Sequence, residues 1–131
     1  NINDRVAVIE RRDKFDQNPN NFVKKWLSEE VRTRNAIVTA RKKLKSVASD
    51  TEILRDCADL CIALGADGLR GELTLLRASR ALAAFRGAKT LERSHLKEIA
   101  PLALSHRLRR DPLDEAGSGV RVERVVKDVL T

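Results

Sequence analysis

One stretch of the chain, GADGLRGELTLLRASRALAAFR at residues 65–86, constrains the fold more than any other. Its apolar residues recur at helical spacing on two sides: Leu69, Leu73, Leu76 and Ala83 on one, and Leu75, Leu82 and Phe85 on the other. Gly65 and Gly87 bracket the pattern, and glycine commonly follows the last turn of a helix. We therefore predict a helix from Leu69 to Arg86, and a helix that is apolar on two sides lies at the centre of a helical bundle.

Arg70 stands in the first turn of this predicted helix, where a positive charge is unfavourable. A helix N-terminus carries the positive end of the helix dipole and unpaired backbone N–H groups, so it favours an acidic side chain or a bound anion. Phosphate is the usual biological anion at such a place. We therefore predict that Arg70 contacts an anion.

Thr74 and Arg77 share the helix face of Arg70, because positions four and seven residues apart point in nearly the same direction. We call Arg70, Thr74 and Arg77 the basic strip. Arg77 and Arg80 have an alternative interpretation, in which they form ion pairs with acidic residues of the same chain, such as Asp56, Asp59 and Glu72.

The rest of the chain also favours helices over strands, because it is rich in Leu, Ala, Val and Arg and has only three Phe, one Trp and no Tyr. Apolar residues recur at helical spacing in five further segments, at residues 3–15, 20–44, 51–64, 92–108 and 120–130. We therefore predict an all-α fold, a helical bundle. The many valines of the last segment leave a strand open as the alternative there.

Local signals mark several ends of these helices. Asn18-Pro19 predicts a turn between the first two helices. Short polar residues are the expected N-terminal caps: Asn20 or Asn21 for the second helix, and Asp50 or Thr51 for the third. Pro101 should kink or break the helix at residues 92–108, because proline removes a backbone donor.

The length of 131 residues fits one domain, and 42% hydrophobic with 34% charged residues is the profile of a soluble globular fold. We predict a single domain over residues 1–131, with a long helical segment at about 1–47. The chain begins NINDRV, with neither an initiator Met nor a secretory leader, so we expect a part of a longer protein. No apolar run approaches the ~20 residues of a membrane-spanning helix, and no membrane insertion is expected.

Cys57 and Cys61 lie four residues apart in one predicted helix, a spacing that does not form an ordinary disulfide. Two cysteines are also too few for a secreted disulfide scaffold, so we expect buried thiols and a cytoplasmic location. A zinc site would need His95 and His106 as well, and their spacing does not match the usual ligand patterns. We therefore expect no metal site.

The net charge of +7 is uneven, because residues 1–49 hold twelve basic and six acidic side chains and so carry +6 of it. Such a bias is compatible with an anionic partner, although a solvated helix face is the commoner explanation. The chain has no series of aromatic residues on which bases could stack and no known nucleic-acid-binding signature. Nucleic acid is therefore not the expected partner, and a basic helical nucleic-acid-binding module stays an alternative.

None of the sequence motifs of a self-sufficient active site occurs in the 131 residues, neither a GxxxxGK[ST] phosphate loop nor a GxGxxG turn, a GxSxG elbow or an HExxH helix. A basic helix that contacts an anion without its own phosphate loop is typical of a module that completes the nucleotide site of another domain.

Three segments carry a resemblance to a known family: DGLRGELTLLRASRALAAF, IAPLALSHRLRRDPLDEAGSG and DRVAVIERRDKFD. Together they resemble the C-terminal part of the small ATPase subunit of magnesium chelatase, a ring-forming AAA+ family of chlorophyll and bacteriochlorophyll synthesis. The resemblance covers nearly the whole chain. The DEAGSG ending is more similar to the bacterial, bacteriochlorophyll-type members than to the plant and cyanobacterial ones.

The resemblance implies that the chain is the helical lid of such a subunit, whose upstream α/β domain binds ATP and Mg²⁺. The sensor 2 arginine of that lid belongs to the GLRGEL motif, which puts the role on Arg70. We therefore predict Arg70 as a catalytic residue, and Arg70 and Arg77 as nucleotide-binding residues. The 131 residues alone are expected to be inactive.

The resemblance also implies partners: the chain's own upstream AAA+ domain, neighbouring copies in a homo-oligomeric ring, the larger D-type AAA+ subunit of the chelatase and its porphyrin-binding H-type subunit. The reaction of the family is the ATP-driven insertion of Mg²⁺ into protoporphyrin IX. Two further alternatives stay open: the lid of a related MoxR-type or cobalt chelatase ATPase, and an adaptor whose basic strip docks an acidic partner surface.

Overall fold

A computed structural model of the chain describes residues 1–66, 68–108 and 118–130. These residues form six α-helices: α1 (Ile2–Gln17), α2 (Pro19–Lys43), α3 (Thr51–Ala63), α4 (Arg70–Phe85), α5 (Arg93–Leu104) and α6 (Ser118–Val129). Two short 3₁₀ turns, Leu44–Ser46 and Ser105–Arg107, follow α2 and α5. The all-α prediction is confirmed, and the valine-rich last segment is a helix. Asp67 and residues 109–117, which are part of the second segment that carries the resemblance, lie outside the described residues.

The chain divides into two compact units, Asn1–Val38 and Thr39–Thr131. In the first unit, α2 begins one or two residues earlier than the predicted cap. The side-chain oxygen of Asn18 accepts a hydrogen bond from the backbone N–H of Asn21 at 3.0 Å. The expected caps Asn20 and Asn21 were therefore wrong, because Pro19 suits the first helical position, where a backbone N–H is not needed.

The apolar residues of the first unit are incompletely covered. No residue of α1 is buried. On α2, four of the apolar residues that recur at helical spacing stay 40–51% exposed: Val23, Leu27, Val31 and Val38. The segment is helical as predicted, but the described residues do not fully bury its apolar side chains.

The second unit contains the hydrophobic core. Its fully buried large side chains come from α3, α4, α5, α6 and the turns that follow: Leu60, Leu64, Leu75, Leu96, Leu104, Val122 and Leu130. Helix α5 packs against α4, α6 and α3. The prediction for α4 was partly wrong, because Leu69, Leu73 and Phe85 are 75%, 43% and 50% exposed. Each predicted side nevertheless has a fully buried member, Ala83 on one and Leu75 on the other.

Both glycines predicted to end helices do so. After α3, the N–H of Gly65 donates to the carbonyl of Ile62 at 3.0 Å, and the N–H of Ala66 donates to the carbonyl of Cys61 at 2.9 Å. This pair of bonds is the Schellman motif, and it requires the left-handed φ of +65° that Gly65 adopts. Gly87, at φ +75°, ends α4 with the same pair of bonds.

Arg93 joins the start of α5 to α3. Its guanidinium contacts both oxygens of the buried Asp56, at 2.7 and 3.1 Å, and reaches Glu52 at 2.7 Å. The hydrogen bond to Asp56 and then the charge of that carboxylate raise the pKa of Arg93 further above its usual range.

Helix α5 contains Pro101 in its interior and ends at Leu104. It is therefore shorter than the helix predicted at residues 92–108.

Truncation of a fully buried side chain of α4 tests the core. Leu75→Ala removes atoms from a site with 0% exposure, so we expect a loss of about 2–5 kcal/mol in the free energy of unfolding. The matched control is Leu73→Ala on the same helix, where the side chain is 43% exposed and the expected loss is about 1 kcal/mol or less. Urea unfolding followed by circular dichroism measures both, and equal losses would contradict this core.

A second prediction concerns Arg93. Asp56→Asn removes the buried charge that accepts two bonds from Arg93, whereas Glu52→Gln alters a carboxylate that is 69% exposed. We expect Asp56→Asn to lower the midpoint of thermal unfolding by several times as much as Glu52→Gln. Differential scanning calorimetry measures the two midpoints. A larger decrease for Glu52→Gln would show that the exposed bond between Arg93 and Glu52 contributes more to stability than the bonds to Asp56.

Candidate functional site

The candidate site lies at the start of α4. Gly68 adopts a left-handed φ of +72°, and its carbonyl accepts a hydrogen bond from the N–H of Gly71 at 3.3 Å. Leu69 is the N-cap residue and offers no side-chain oxygen, so no side chain of the described residues caps this helix. The first turn of α4 thus keeps the property that the sequence indicated, a positive helix end without a capping side chain.

Arg70 is the first residue of α4, and its side chain is exposed. Its guanidinium forms no ion pair or hydrogen bond with any residue at 1–66, 68–108 or 118–130. The backbone carbonyl of Arg70 accepts a bond from the Thr74 hydroxyl at 2.7 Å. The backbone of this turn is therefore held by a side-chain hydrogen bond, whereas the guanidinium of Arg70 has no partner within the described ranges.

Arg77 lies two turns further along the same face and is also exposed, again without an acidic partner in the described part of the chain. For Arg80 the ion-pair alternative was wrong. Its guanidinium donates to the hydroxyl of Ser49 at 2.9 Å. Asp56, one of the acids considered, is occupied by Arg93 instead.

Arg107 is a basic residue of this region that the sequence patterns did not single out for the site. The 3₁₀ turn after α5 brings its guanidinium to 3.4 Å from the Thr74 hydroxyl, 33 residues away in sequence. The Nε atom of Arg107 is buried and has no hydrogen-bond partner among the described residues. Only the packing of α5 against α4 places this residue, so no local sequence signal could have found it.

Glu72 is the single acidic residue in the first turn of α4. One of its carboxylate oxygens is buried without a hydrogen-bond partner in the described ranges. Its charge raises the pKa of Cys61, whereas the charge of Arg107 lowers it, so both charged groups lie near that thiol. The start of α4 therefore combines two arginines, Arg70 and Arg107, with one partly buried acid, Glu72.

Gly71 fixes this first turn against α3. A Cβ atom at this position would lie 3.3 Å from the Cys61 sulfur and 3.5 Å from the Ala66 side chain. The distance to the sulfur is shorter than ordinary van der Waals contact, so the missing side chain lets α4 approach α3 closely. The glycine after Arg70 is thus a packing residue, and it sets where Arg70 stands relative to the core.

Cys57 and Cys61 are free and buried, as the sequence predicted. Burial, followed by the charges of Cys61, Asp56 and Glu72, raises the pKa of Cys57 to about 12. Burial and the charge of Glu72 raise the pKa of Cys61 to about 11, with Arg107 opposing them. High pKa values make both thiols weak nucleophiles and weak metal ligands at neutral pH.

His95 has a structural role. It is 4% exposed, and its Nδ1 atom accepts a hydrogen bond from the backbone N–H of Glu92 at 3.1 Å. This bond forms one half of the cap that begins α5. Among the described residues, no three His, Cys, Asp or Glu side chains come together as a metal site, and no helix there is long and apolar enough to cross a membrane.

The fold and the site define the class of this protein. Residues 54–129 match the family model described as the AAA lid domain, and these residues include α4 and most of α3. The chain therefore belongs to the AAA lid domain family, and the lid predicted from the sequence is confirmed.

Particular relatives are magnesium chelatase subunits. The chain is 57% identical to the magnesium-chelatase 38 kDa subunit of Cereibacter sphaeroides, over 98% of this chain and 39% of that protein. It is 56% identical to the subunit of the same name from Rhodobacter capsulatus, over 98% of this chain and 37% of that one. The chain thus spans about two fifths of the length of the curated relatives it matches.

A less similar relative is also a magnesium-chelatase subunit. The magnesium-chelatase subunit ChlI of Anabaena variabilis is 38% identical over 92% of this chain and 36% of its own length. Among solved structures, a chain from a cryo-EM-based model of the complex between subunits BchI and BchD of magnesium chelatase is 46% identical. It matches 97% of this chain and 36% of its own length, with a TM-score of 0.47. The higher identity to bacterial 38 kDa subunits agrees with the bacterial character of the DEAGSG ending.

The buried thiols make a testable prediction about pH. In the unfolded chain both thiols lose their protons around pH 9.0. In the folded chain Cys61 keeps its proton until about pH 11 and Cys57 until about pH 12. Unfolding therefore releases protons in this window, and the stability that the thiols contribute, fully present below pH 9, is lost as pH rises above it. We expect the free energy of unfolding to fall from pH 9 to 10.5 more steeply than in the control Cys57→Ala/Cys61→Ala. Parallel slopes in urea unfolding would contradict these pKa shifts.

Proposed function

We propose that the chain is the helical lid of the ATP-hydrolysing subunit of a magnesium chelatase of the bacteriochlorophyll type. The observation that carries this proposal is the 57% identity to a magnesium-chelatase 38 kDa subunit over 98% of the chain. The position of Arg70 inside the matched AAA lid region supports it independently. The whole subunit would use ATP hydrolysis to drive insertion of Mg²⁺ into protoporphyrin IX, with Mg²⁺ as the substrate.

Arg70 is the proposed sensor 2 residue. It is exposed, it begins a helix whose N-cap residue Leu69 provides no side-chain cap, and its guanidinium has no acidic partner in the described ranges. These three properties fit the γ-phosphate of a nucleotide, because a guanidinium and a helix N-terminus both favour an anion. Arg77 is the proposed second contact, since it is exposed on the same face two turns further on.

The proposed role of Arg70 in hydrolysis is electrostatic. A nucleotide supplies the phosphoryl group that is transferred to water. A guanidinium placed beside it stabilises the negative charge that develops, and this effect is strongest where the donor is already positioned. The Thr74 hydroxyl holds the carbonyl of Arg70, and Gly71 holds the turn against α3, so the backbone that carries the guanidinium is positioned before any ligand arrives.

The same attachment would couple the nucleotide to the lid. The first turn of α4 contacts Cys61 on α3 and Leu104 at the end of α5. A phosphate contact made by Arg70 would therefore hold the core of the second unit to the nucleotide, and loss of that phosphate would free the core to move. We propose that this is how hydrolysis changes the position of the lid.

The remaining parts of the proposal concern what lies outside the 131 residues. ATP and its Mg²⁺ would be bound mainly by an upstream AAA+ domain, and the lid would belong to a ring of like subunits in the cytoplasm. The larger D-type AAA+ subunit and the porphyrin-binding H-type subunit are the proposed further partners. Residues 1–131, including the helical segment at about 1–47, are proposed to act as one lid, and no residue of it is assigned to porphyrin.

Replacement of Arg70 in the complete subunit tests the assignment. We expect Arg70→Ala to leave ATP binding within about threefold of the parent and to lower ATP hydrolysis by about 10²-fold or more, because a preorganised charge contact is lost. Arg70→Lys should restore only a part, since a lysine keeps the charge but not the planar fork. Steady-state ATPase assays and nucleotide titrations measure the two effects separately.

The matched control is Arg55→Ala, which removes an exposed arginine of α3 that lies outside the basic strip. We expect its ATPase activity to equal that of the parent. Unchanged hydrolysis in Arg70→Ala would overturn the sensor 2 assignment, as would an equal loss in both variants.

A further inference from the structure

A groove separates α1 from α2 within the first unit. Its volume is about 440 Å³, and the side chains that matter to its chemistry are Glu10, Arg11, Lys14, Phe22, Lys25 and Trp26. Every one of them belongs to the unit Asn1–Val38. The groove is thus a feature of the two helices themselves, separate from the start of α4.

The walls of the groove hold two of the four aromatic residues of the chain, Phe22 and Trp26. Phe15 and Phe22 meet edge to face with ring centres 5.8 Å apart, and Phe22 lies 6.0 Å from Trp26. The guanidinium of Arg11 stacks over Trp26 at 5.3 Å from the ring centre. A stacked guanidinium has restricted freedom, yet its N–H edge stays available to a planar acceptor.

The cations of the groove are unpaired. Arg11, Lys14 and Lys25 form no ion pair in the described part of the chain. Two acids of the same helix are already engaged, because Asp16 pairs with Arg12 at 2.9 Å and Asp13 accepts from Gln17 at 2.7 Å. Glu10 is the one acidic residue among the groove residues. Three positive charges therefore face one negative charge around a concave, partly aromatic surface.

We infer that this groove binds an acidic segment of a partner protein. Carboxylates of the segment would accept from the N–H edge of Arg11 and from the amino groups of Lys14 and Lys25, and its apolar atoms would cover Phe22 and Trp26. A carboxylate suits the Arg11 fork because the two groups match in planar geometry. This inference does not depend on the nucleotide role of Arg70.

Nucleic acid fits the groove less well. Bases bind single-strand sites by stacking on open aromatic faces. Here one ring face of Trp26 carries Arg11, and Phe15 and Phe22 are packed against each other. Glu10 would also repel a continuous phosphate backbone. A peptide that presents a few spaced carboxylates avoids both conflicts.

Trp26 offers a direct probe, because it is the only tryptophan of the chain. The experiment titrates the complete 131-residue chain with a ten-residue peptide of alternating glutamate and alanine, and follows Trp26 fluorescence at low salt. A peptide of alternating glutamine and alanine is the neutral control. We expect a saturable change with the acidic peptide alone, weakened by added salt because the contacts are exposed charges.

Variants locate the binding. Arg11→Gln and Lys25→Gln should each weaken the binding about two- to fivefold, as expected for single exposed charge pairs. Lys24→Gln is the matched control, since Lys24 is the neighbouring exposed lysine and does not line the groove. Circular dichroism of each variant checks that the helices are retained.

Three results would overturn the inference: no saturable change up to millimolar peptide, equal weakening by Lys24→Gln and Lys25→Gln, or binding of a single-stranded oligonucleotide more than tenfold tighter than the acidic peptide. The last result would identify the groove as a nucleic-acid site. None of these outcomes bears on the ATPase test of Arg70, so the two proposals fail separately.

Discussion

The close approach of α4 to α3 at Gly71 is the contact on which the candidate site depends. Because Gly71 has no side chain, the Cys61 sulfur, the Ala66 side chain and Leu104 can all meet the first turn of α4. This single contact joins three helices of the core at one end. It also accounts for the buried Cys61, since a sulfur fills the narrow space that a larger side chain would force open.

Five arginines of the second unit differ in what they contact. Arg80, Arg86 and Arg93 bond to Ser49, Glu98 and Asp56, and they tie elements together. Arg70 and Arg77 contact no acidic residue within the described ranges, although they belong to the same helix as Arg80. The chain therefore uses Arg80, Arg86 and Arg93 for bonds between its own elements, and the proposed ligand contacts are arginines without such a bond in the described ranges.

Helical periodicity and glycine were sufficient to predict most of the fold. The six helices lie where the apolar spacing placed them, and Gly65 and Gly87 end helices as expected. The predictions that were wrong depended on contacts between distant residues. The exposure of Leu69 and Phe85, the Ser49 partner of Arg80 and the place of Arg107 all follow from how helices pack. A periodic pattern shows which face is apolar, but it does not say what covers that face.

The apolar side chains of the first unit are incompletely covered, and this affects how the chain unfolds on heating. Helix α1 has no buried residue, so local interactions such as the Asn1 cap and the Arg12–Asp16 pair sustain it. Local interactions of this kind give gradual fraying, whereas the buried leucines of the second unit give a sharp cooperative transition. Ellipticity at 222 nm and excess heat absorption should therefore diverge on heating, because part of the helix content is lost without the enthalpy of core disruption.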